Sequence, residues 1–223
     1  MSNSYNFSYT RAMNESINDT TQPKPRTRSE EKRQQIVQAA SHLFTEQGYL
    51  STSMDQVAEA AGVSKQTVYS HFGAKEDLFK FCVEERCIAN VMNEQVFSGS
   101  RPIRDTLLDF ARHFQELIMS REAIQLCRLC AANAELHPEI SAMFFAAGPE
   151  QVEAALKHYL AGKVDAGELA CDDLDMACEQ LLSLLKTGTH FMAILGLPHD
   201  ESQNKAEQYL HKSVDMFLRY YQS

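Results

Sequence analysis

The sequence predicts an all-α protein of about nine helices, with a small N-terminal head and a larger C-terminal body. Glycine and proline are scarce, at 9 and 6 of 223 residues, so turns lie far apart. Apolar residues recur at three- and four-residue spacing along most of the chain, as on one face of a helix. Hydrophobic residues at 44% and charged residues at 23% are typical of a globular protein.

The N-terminal segment, residues 1–28, is rich in serine, asparagine and threonine and has no apolar period. We expect a disordered arm. It ends in the basic stretch "TTQPKPRTRS", which contains Lys24, Arg26 and Arg28 and no acid. This arm can bind a polyanion locally.

The first helix is expected to begin near Ser29, which would cap it, with Glu30 and Glu31 favourable to the helix dipole in the first turn. Gly48 is placed to end it. Its inward face is marked by Ile36, Ala39, Ala40, Leu43 and Phe44.

Two short helices follow, joined by the turn "AGVS". Thr52 or Ser53 would cap the first and Ser64 the second. Gly62 accepts a positive φ at low cost, and Gly73 closes the second helix. A short helix, a glycine turn and another short helix form the helix-turn-helix plan.

The exposed face of the third helix carries hydrogen-bonding side chains and no acid. These are Ser64, Lys65, Gln66, Thr67, Tyr69, Ser70 and His71. A helix that lies in the major groove of DNA needs such a surface, whereas an ordinary solvated face usually includes Glu or Asp. The pattern therefore predicts binding to double-stranded DNA.

Four helices of the body come next. The fourth begins at "AKEDLF" and runs to residue 97, and the fifth has Pro102 in its first turn. The sixth spans 122–136. Pro138 opens the seventh, which should break or kink near 147–150.

The last two helices, roughly 172–195 and 200–221, are apolar on more than one side. One apolar set of the ninth helix comprises Ala206, Leu210, Val214, Phe217 and Tyr221. The other comprises Tyr209, Met216 and Tyr220. Such helices need more than their own core to cover them, which predicts a homodimer through helices eight and nine. A deeply buried central helix is the alternative.

Composition excludes several classes of protein. No run of about 18 apolar residues and no signal peptide is found, so we expect a cytoplasmic protein without a membrane span. No phosphate loop, nucleophile elbow or helical His-Glu metal signature occurs, so an enzyme is not expected. Cys127 and Cys130 would be half of a zinc site, but no second pair is evident, so no metal or cofactor is expected.

The net charge of −9 is unevenly distributed. Residues 1–80 contain nine basic and nine acidic side chains, whereas residues 81–223 contain twelve and twenty-one. The acidity belongs to the body, which leaves the head able to approach DNA.

The segment "SMDQVAEAAGVSKQTVYSHFGAKEDLF", within a match from about Glu31 to Phe79, closely resembles the DNA-binding domain of TetR-family transcriptional regulators. The segment "LHPEISAMFFAAGPEQVEAALKHYL", in a weaker match over about 121–196, resembles the C-terminal domain of the AefR-like subgroup. The resemblance implies an all-helical homodimer that binds a palindromic operator and releases it when a small effector binds. Repression is the usual mode of this family.

The resemblance also implies roles for individual residues. Thr52 and Ser53 would lie near phosphates. Base edges would be contacted by Lys65, Gln66 and Thr67. Phosphate contacts would come from Tyr69, His71 and Lys75.

We expect three domains: an arm at 1–28, a helix-turn-helix domain at 29–76, and an effector-binding and dimerisation domain at 77–223. The expected effector is small and apolar or amphipathic. Its cavity would be formed by Phe81, Cys82, Phe110, Phe114, Cys127, Met143, Phe144, Phe191 and Met192, and polar contacts could come from His113, His158 and His190. Two alternatives remain: a redox-sensing regulator that uses Cys127 and Cys130, and a helical adaptor that does not bind DNA.

Overall fold

The all-α prediction is confirmed in a computed structural model that describes residues 27–91, 94–97, 101–199 and 202–222. In these ranges the chain forms twelve helical segments and no strand longer than an isolated bridge between Leu169 and Gln222. The predicted disordered arm lies outside the described residues, apart from its last two positions.

The twelve helices are α1 Arg28–Ser51, α2 Met54–Ala60, α3 Lys65–Phe72, α4 Lys75–Asn90, α5 Glu94–Phe97, α6 Ile103–Met119, α7 Arg121–Asn133, α8 Pro138–Ala147, α9 Pro149–Asp165, α10 Leu174–Leu185, α11 Gly188–Leu195 and α12 Gln203–Tyr221.

The first helix begins earlier than the sequence pattern predicted, with Thr27 rather than Ser29 as its cap. The Thr27 hydroxyl accepts a hydrogen bond from the Glu30 backbone N–H at 3.2 Å, and the Glu30 carboxylate accepts one from the Thr27 N–H at 2.6 Å. This reciprocal capping box requires a Glu three residues after the cap, a spacing that Thr27 has and Ser29 lacks.

Three breaks account for the difference between nine predicted helices and twelve observed segments. The predicted seventh helix divides at Gly148 into α8 and α9, and the short α5 follows α4. The predicted eighth helix divides into α10 and α11, because Lys186 has a ψ of 85° and the Thr187 hydroxyl caps a new helix.

Two hydrophobic cores hold the molecule together. One joins α1–α4 to buried residues of α7 and α8, including Cys130, Ile140 and Met143. The other is formed mainly by α6, α9, α10 and α12. The head therefore packs directly on the body through a shared core. Within the described ranges, no helix has the length and apolar character needed to cross a membrane.

Candidate nucleic-acid interface and effector cavity

The turn between α2 and α3 depends on the backbone of Gly62. Its φ is +65°, and no atom lies within 4 Å of the position that a Cβ would occupy. The requirement for glycine is therefore conformational rather than steric. Val57 and Val68, both fully buried, hold the two helices against the core of the head.

Serine hydroxyls cap both short helices. Ser53 Oγ accepts from the Gln56 N–H at 3.2 Å, and Ser64 Oγ accepts from the Thr67 N–H at 3.1 Å. Because these hydroxyls accept bonds from the helices, Ser53 keeps its O–H as a donor to an outside anion.

The surface of α3 is exposed where the sequence predicted DNA contacts. Gln66 is exposed, and the Tyr69 side chain is 44% exposed. Lys65 is exposed as well, but its ammonium lies 2.7 Å from the carboxylate of Asp55 on α2. Since exposed ion pairs contribute only about 0.2–1 kcal/mol, a phosphate or base can displace Asp55.

Three other predicted residues on this face already have partners within α3 or lie partly covered. Ser70 Oγ donates to the Thr67 carbonyl at 2.8 Å, and Thr67 Oγ1 lies 2.8 Å from Ser64 Oγ. His71 is half-buried, with its ring 6.3 Å from that of Phe72. Gln66, Lys65 and Tyr69 are therefore the long exposed side chains on this face.

The side chain of Thr52 does not face the predicted phosphate position. It is 1% exposed, and its hydroxyl donates to the Gly48 carbonyl at 2.8 Å. The hydroxyl satisfies a carbonyl near the end of α1, so any phosphate contact at this position would come from the Thr52 backbone rather than from its side chain.

Lys75 has a more complex environment than the sequence suggested. Its ammonium donates to the carbonyls of Tyr49 and Thr52, each at 2.9 Å, and lies 4.3 Å from the centre of the Tyr49 ring. Burial lowers the pKa of this lysine. Of its three N–H donors, one remains for an external anion.

A mainly apolar cavity of about 330 Å³ lies between the head and the body. Four of the nine predicted effector residues line it: Cys82, Phe114, Cys127 and Phe144. His190, predicted as a source of polar contacts, lines it too.

The other five predicted effector residues lie elsewhere. Phe110 and Met143 belong to the packed cores, and Phe81 packs against the Phe72 ring at 5.5 Å. Phe191 and Met192 are 63% and 38% exposed. They face outward because α11 does not continue the axis of α10. The prediction assumed one continuous helix over 172–195.

Sequence reasoning missed three groups of cavity residues. Phe44 and Thr45 come from α1, which was assigned wholly to the DNA-binding head. Charged residues also line the wall, including Arg86 and Glu122, which form an ion pair at 2.8 Å. Lys186 lines the cavity at the break between α10 and α11. The sequence "KTGT", with its capping threonine, is the signal that could have located this break.

The remaining histidine candidates lie outside the cavity lining. His113 Nδ1 is 2.8 Å from the Asp109 carbonyl, and His158 is exposed on α9. Among the residues that the structure describes, no three His, Cys, Asp or Glu side chains converge where a metal ion could bind.

The cysteine thiols are poorly suited to redox sensing. Burial raises the pKa of Cys130 to about 11 and also raises that of Cys127. Disulfide chemistry requires the thiolate, which is scarce at neutral pH when the pKa is raised. The redox alternative is therefore not favoured.

An apolar surface on α10–α12 is uncovered in the single chain. It comprises Met176, Phe191, Met192, Leu195, Tyr209, Met216 and Tyr220, each at least 38% exposed. The two apolar sets predicted on the last helix separate here, since Leu210, Val214, Phe217 and Tyr221 are buried.

Two family models match the chain. The model for bacterial regulatory proteins of the tetR family matches residues 36–81, and the model for the AefR-like transcriptional repressor C-terminal domain matches residues 105–223. The second match covers more than half of the chain.

Solved structures and curated proteins agree with these matches. A TetR-family transcriptional regulator from Mesorhizobium loti is 31% identical, with a TM-score of 0.72 over 89% of this chain and 100% of that one. The flavonoid-responsive regulator FrrA is 32% identical, with a TM-score of 0.69 over 86% and 98%. The transcriptional regulator YezE of Bacillus subtilis is 26% identical over 77% of this chain and 91% of its own.

Members of this family bind DNA and dimerise. The predicted resemblance is thus confirmed at both ends of the chain. With a helix-turn-helix head, an AefR-like body and relatives that match along most of their length, the protein belongs to the TetR family and is a DNA-binding transcriptional regulator.

Proposed function

We propose that the protein is a repressor that binds a palindromic operator as a homodimer and leaves it when a small apolar or amphipathic effector occupies the cavity. The observation that carries the proposal is the composition of the cavity wall. Phe44 and Thr45 of α1 line the cavity together with body residues such as Leu126 and Leu182. A ligand that fits one arrangement of head and body better than another shifts the population toward it.

The proposal assigns different tasks to the three expected domains. The arm at 1–28 adds positive charge, residues 29–76 recognise the operator, and residues 77–223 bind the effector and the second subunit. In the major groove, α3 would place Lys65, Gln66 and Thr67 at base edges. Ser53, Ser64, Tyr69, Ser70, His71 and Lys75 would lie toward the phosphates.

The uncovered apolar surface on α10–α12 is the proposed dimer interface. Tyr220 is 79% exposed and Met216 is 54% exposed, although both sit on a helix whose other face is buried. Several large apolar side chains exposed at one end of the chain are typical of a protein interface. A second copy of the chain that buries it would place two heads on one side of the dimer, as a two-fold symmetric operator requires.

Two properties of similar proteins support the proposal. The family of the C-terminal domain is described as a transcriptional repressor, and FrrA is described as flavonoid-responsive. Neither description assigns an enzymatic activity, and we propose none for this chain. We propose the bacterial cytoplasm as its location, since the DNA that it would bind lies there.

The proposal is tested by selecting bound DNA from random fragments with the full-length protein. We expect a two-fold symmetric site, bound by one dimer, whose affinity falls when a cavity ligand is added. A selected site without symmetry would contradict the dimer, and a cavity ligand that leaves operator affinity unchanged would contradict release. Operator binding that is lost on mild oxidation and restored by a reductant would favour the redox alternative instead.

A further inference from the structure

The charged groups of the cavity are not balanced. The Arg86 guanidinium and the Glu122 carboxylate neutralise each other across 2.8 Å. Glu122 is the only acid among the described residues that line the cavity, whereas Lys186 adds a second basic group. The cavity wall therefore carries one positive charge that no acid of the wall offsets.

His190 lies next to this charge. Burial, reinforced by the nearby Lys186, lowers the pKa of the His190 imidazole, which is therefore neutral at pH 7. A neutral imidazole has one N–H donor and one acceptor nitrogen. At the break between α10 and α11 the cavity wall thus combines an exposed lysine with a half-buried, neutral hydrogen-bonding ring.

The rest of the cavity is rich in aromatic side chains. Five phenylalanines line it: Phe44, Phe79, Phe114, Phe144 and Phe145. Phenyl rings pack well against another aromatic ring in offset or edge-to-face geometry. The volume of about 330 Å³ lies near the lower end of the range of small-molecule sites, which indicates a compact ligand.

We propose that the effector is a compact aromatic acid, with its ring among the phenylalanines and its anionic group beside Lys186 and His190. The inference rests on the proposed effector site. Burying an anion in an apolar cavity is unfavourable unless a cation or hydrogen-bond donor accompanies it. Lys186 and His190 supply both, whereas a neutral amide would lose the charge interaction and an amine would be repelled.

The test compares 2-naphthoate with its neutral analogue 2-naphthamide by calorimetry, with the full-length protein at pH 7.5 and no DNA. We expect 2-naphthoate to bind at least about tenfold more tightly, since only its carboxylate can form a charge-assisted contact. The variant Lys186→Gln should remove this preference and leave the affinity for 2-naphthamide unchanged. The control Lys157→Gln removes the same charge from α9, outside the cavity lining, and should keep the preference.

Equal affinity for the two compounds would overturn the inference, and so would a preference that survives Lys186→Gln or the failure of both compounds to bind. Binding of 2-naphthamide alone would also overturn the inference, although it would identify the cavity as a ligand site. The proposed function fails by a different observation, a ligand-saturated protein that keeps its full affinity for the operator.

Discussion

Lys75 connects the end of α1 to the start of α4. Its ammonium donates to the carbonyl of Tyr49 in the last turn of α1 and to that of Thr52 just after it, and lies over the Tyr49 ring. The sequence predicted an external role because a lysine at a helix N-terminus gains nothing from the helix dipole. The structure gives a second reason for the lysine, since carbonyls at the end of a helix need donors from outside it, and the Tyr49 carbonyl accepts the lysine N–H in addition to the Thr52 N–H at 3.3 Å.

Replacing Lys75 by Met should lower the free energy of unfolding by about 1–3 kcal/mol, because two carbonyls lose a charged donor. Urea unfolding measures this change. The control Lys80→Met breaks only the exposed pair with Glu76 on the same helix and should cost less than about 0.5 kcal/mol. Equal losses in the two variants would show that the carbonyl contacts of Lys75 contribute nothing.

Gln66 is the exposed amide on α3, and an amide can bond adenine at two positions in the major groove. Gln66→Ala should therefore relax the preference at one operator position by about 1–3 kcal/mol, as measured by binding selection. Ser70→Ala is the control for base preference, since Ser70 donates to the Thr67 carbonyl and is proposed to lie toward the phosphates, so the preferred bases should not change. A selected site identical to that of the unaltered protein would place base recognition elsewhere.

The buried thiols should react slowly with a disulfide reagent. Burial raises the pKa of Cys82 and Cys178 to about 12 and that of Cys87 and Cys130 to about 11. The thiolate fraction at pH 8 is therefore small, and it rises about tenfold per pH unit until the pKa is reached. In a thiol titration of the native protein at pH 8, these four cysteines should remain unmodified over the first minutes. In the denatured protein all six cysteines should react. Fast native modification of Cys130 would revive the redox alternative.

At the scale of elements, Gly48 has two separate requirements for glycine. Its φ is +81°, and a Cβ there would lie 3.2 Å from Leu129 Cδ2 on α7. This conformation kinks α1 three residues before its last residue, Ser51, and the missing side chain allows α7 to approach. One residue therefore sets both the kink of a head helix and its contact with the body.

Gly48→Ala should destabilise the protein more than Gly62→Ala. Both changes place a side chain at positive φ, which costs about 1–2 kcal/mol in a left-handed helical conformation. The cost is greater at Gly48, whose φ of 81° and ψ of 168° only glycine adopts readily, and only there does the added side chain also meet a neighbour. Thermal and urea unfolding compare them. Adding Leu129→Ala should recover part of the loss in the Gly48 variant and none in the Gly62 variant. A smaller loss at Gly48 than at Gly62 would contradict the steric requirement.

Helical periodicity predicted most elements because it reports which face of a segment is buried. It did not predict the division of residues 172–195, since apolar residues continue across Lys186 and only local capping at Thr187 marks the break. The wrong expectation that Phe191 and Met192 line the cavity follows from missing this break. A periodic pattern locates a buried face, but it does not fix the axis of the next helix.

The cavity was predicted less completely than the DNA-binding head. An inward aromatic residue can pack in a core, as Phe110 does, or line a void, as Phe114 does, although they lie one turn apart on α6. Sequence spacing is the same in both cases. The α3 surface was easier to predict because its contacts are local, between residues 64 and 72.

At the scale of the whole molecule, one side of α12 packs against α6 and forms ion pairs with it. Arg104 bonds Asp215 at 2.7 Å, and Arg112 Nε bonds Glu207 at 2.9 Å. Salt bridges to these arginines lower the pKa of both carboxyls. The buried residues Leu210, Val214 and Phe217 set the rotation of α12, and the partly exposed ion pairs are made on the same side, so that the second apolar face points away from the chain's own core.

Tyr220→Glu should convert the dimer to a monomer and weaken operator binding by more than tenfold, because a charge would be buried at the interface and one head alone binds half a site. Sedimentation measures the oligomeric state. Leu136→Glu is the control, since Leu136 is 81% exposed between α7 and α8, away from the α10–α12 surface. A Tyr220→Glu protein that remains dimeric would place the interface elsewhere.

The ion pair between Lys65 and Asp55 has a consequence for how the regulator searches a chromosome. Any phosphate that approaches α3 competes with a carboxylate already 2.7 Å from the lysine. Random DNA offers that lysine a phosphate alone, so exchanging one anion for the other gains little. A matching base edge adds contacts that Asp55 cannot supply. We expect the ion pair to shorten the residence time of the protein on non-specific sites and to change its residence time on the operator little.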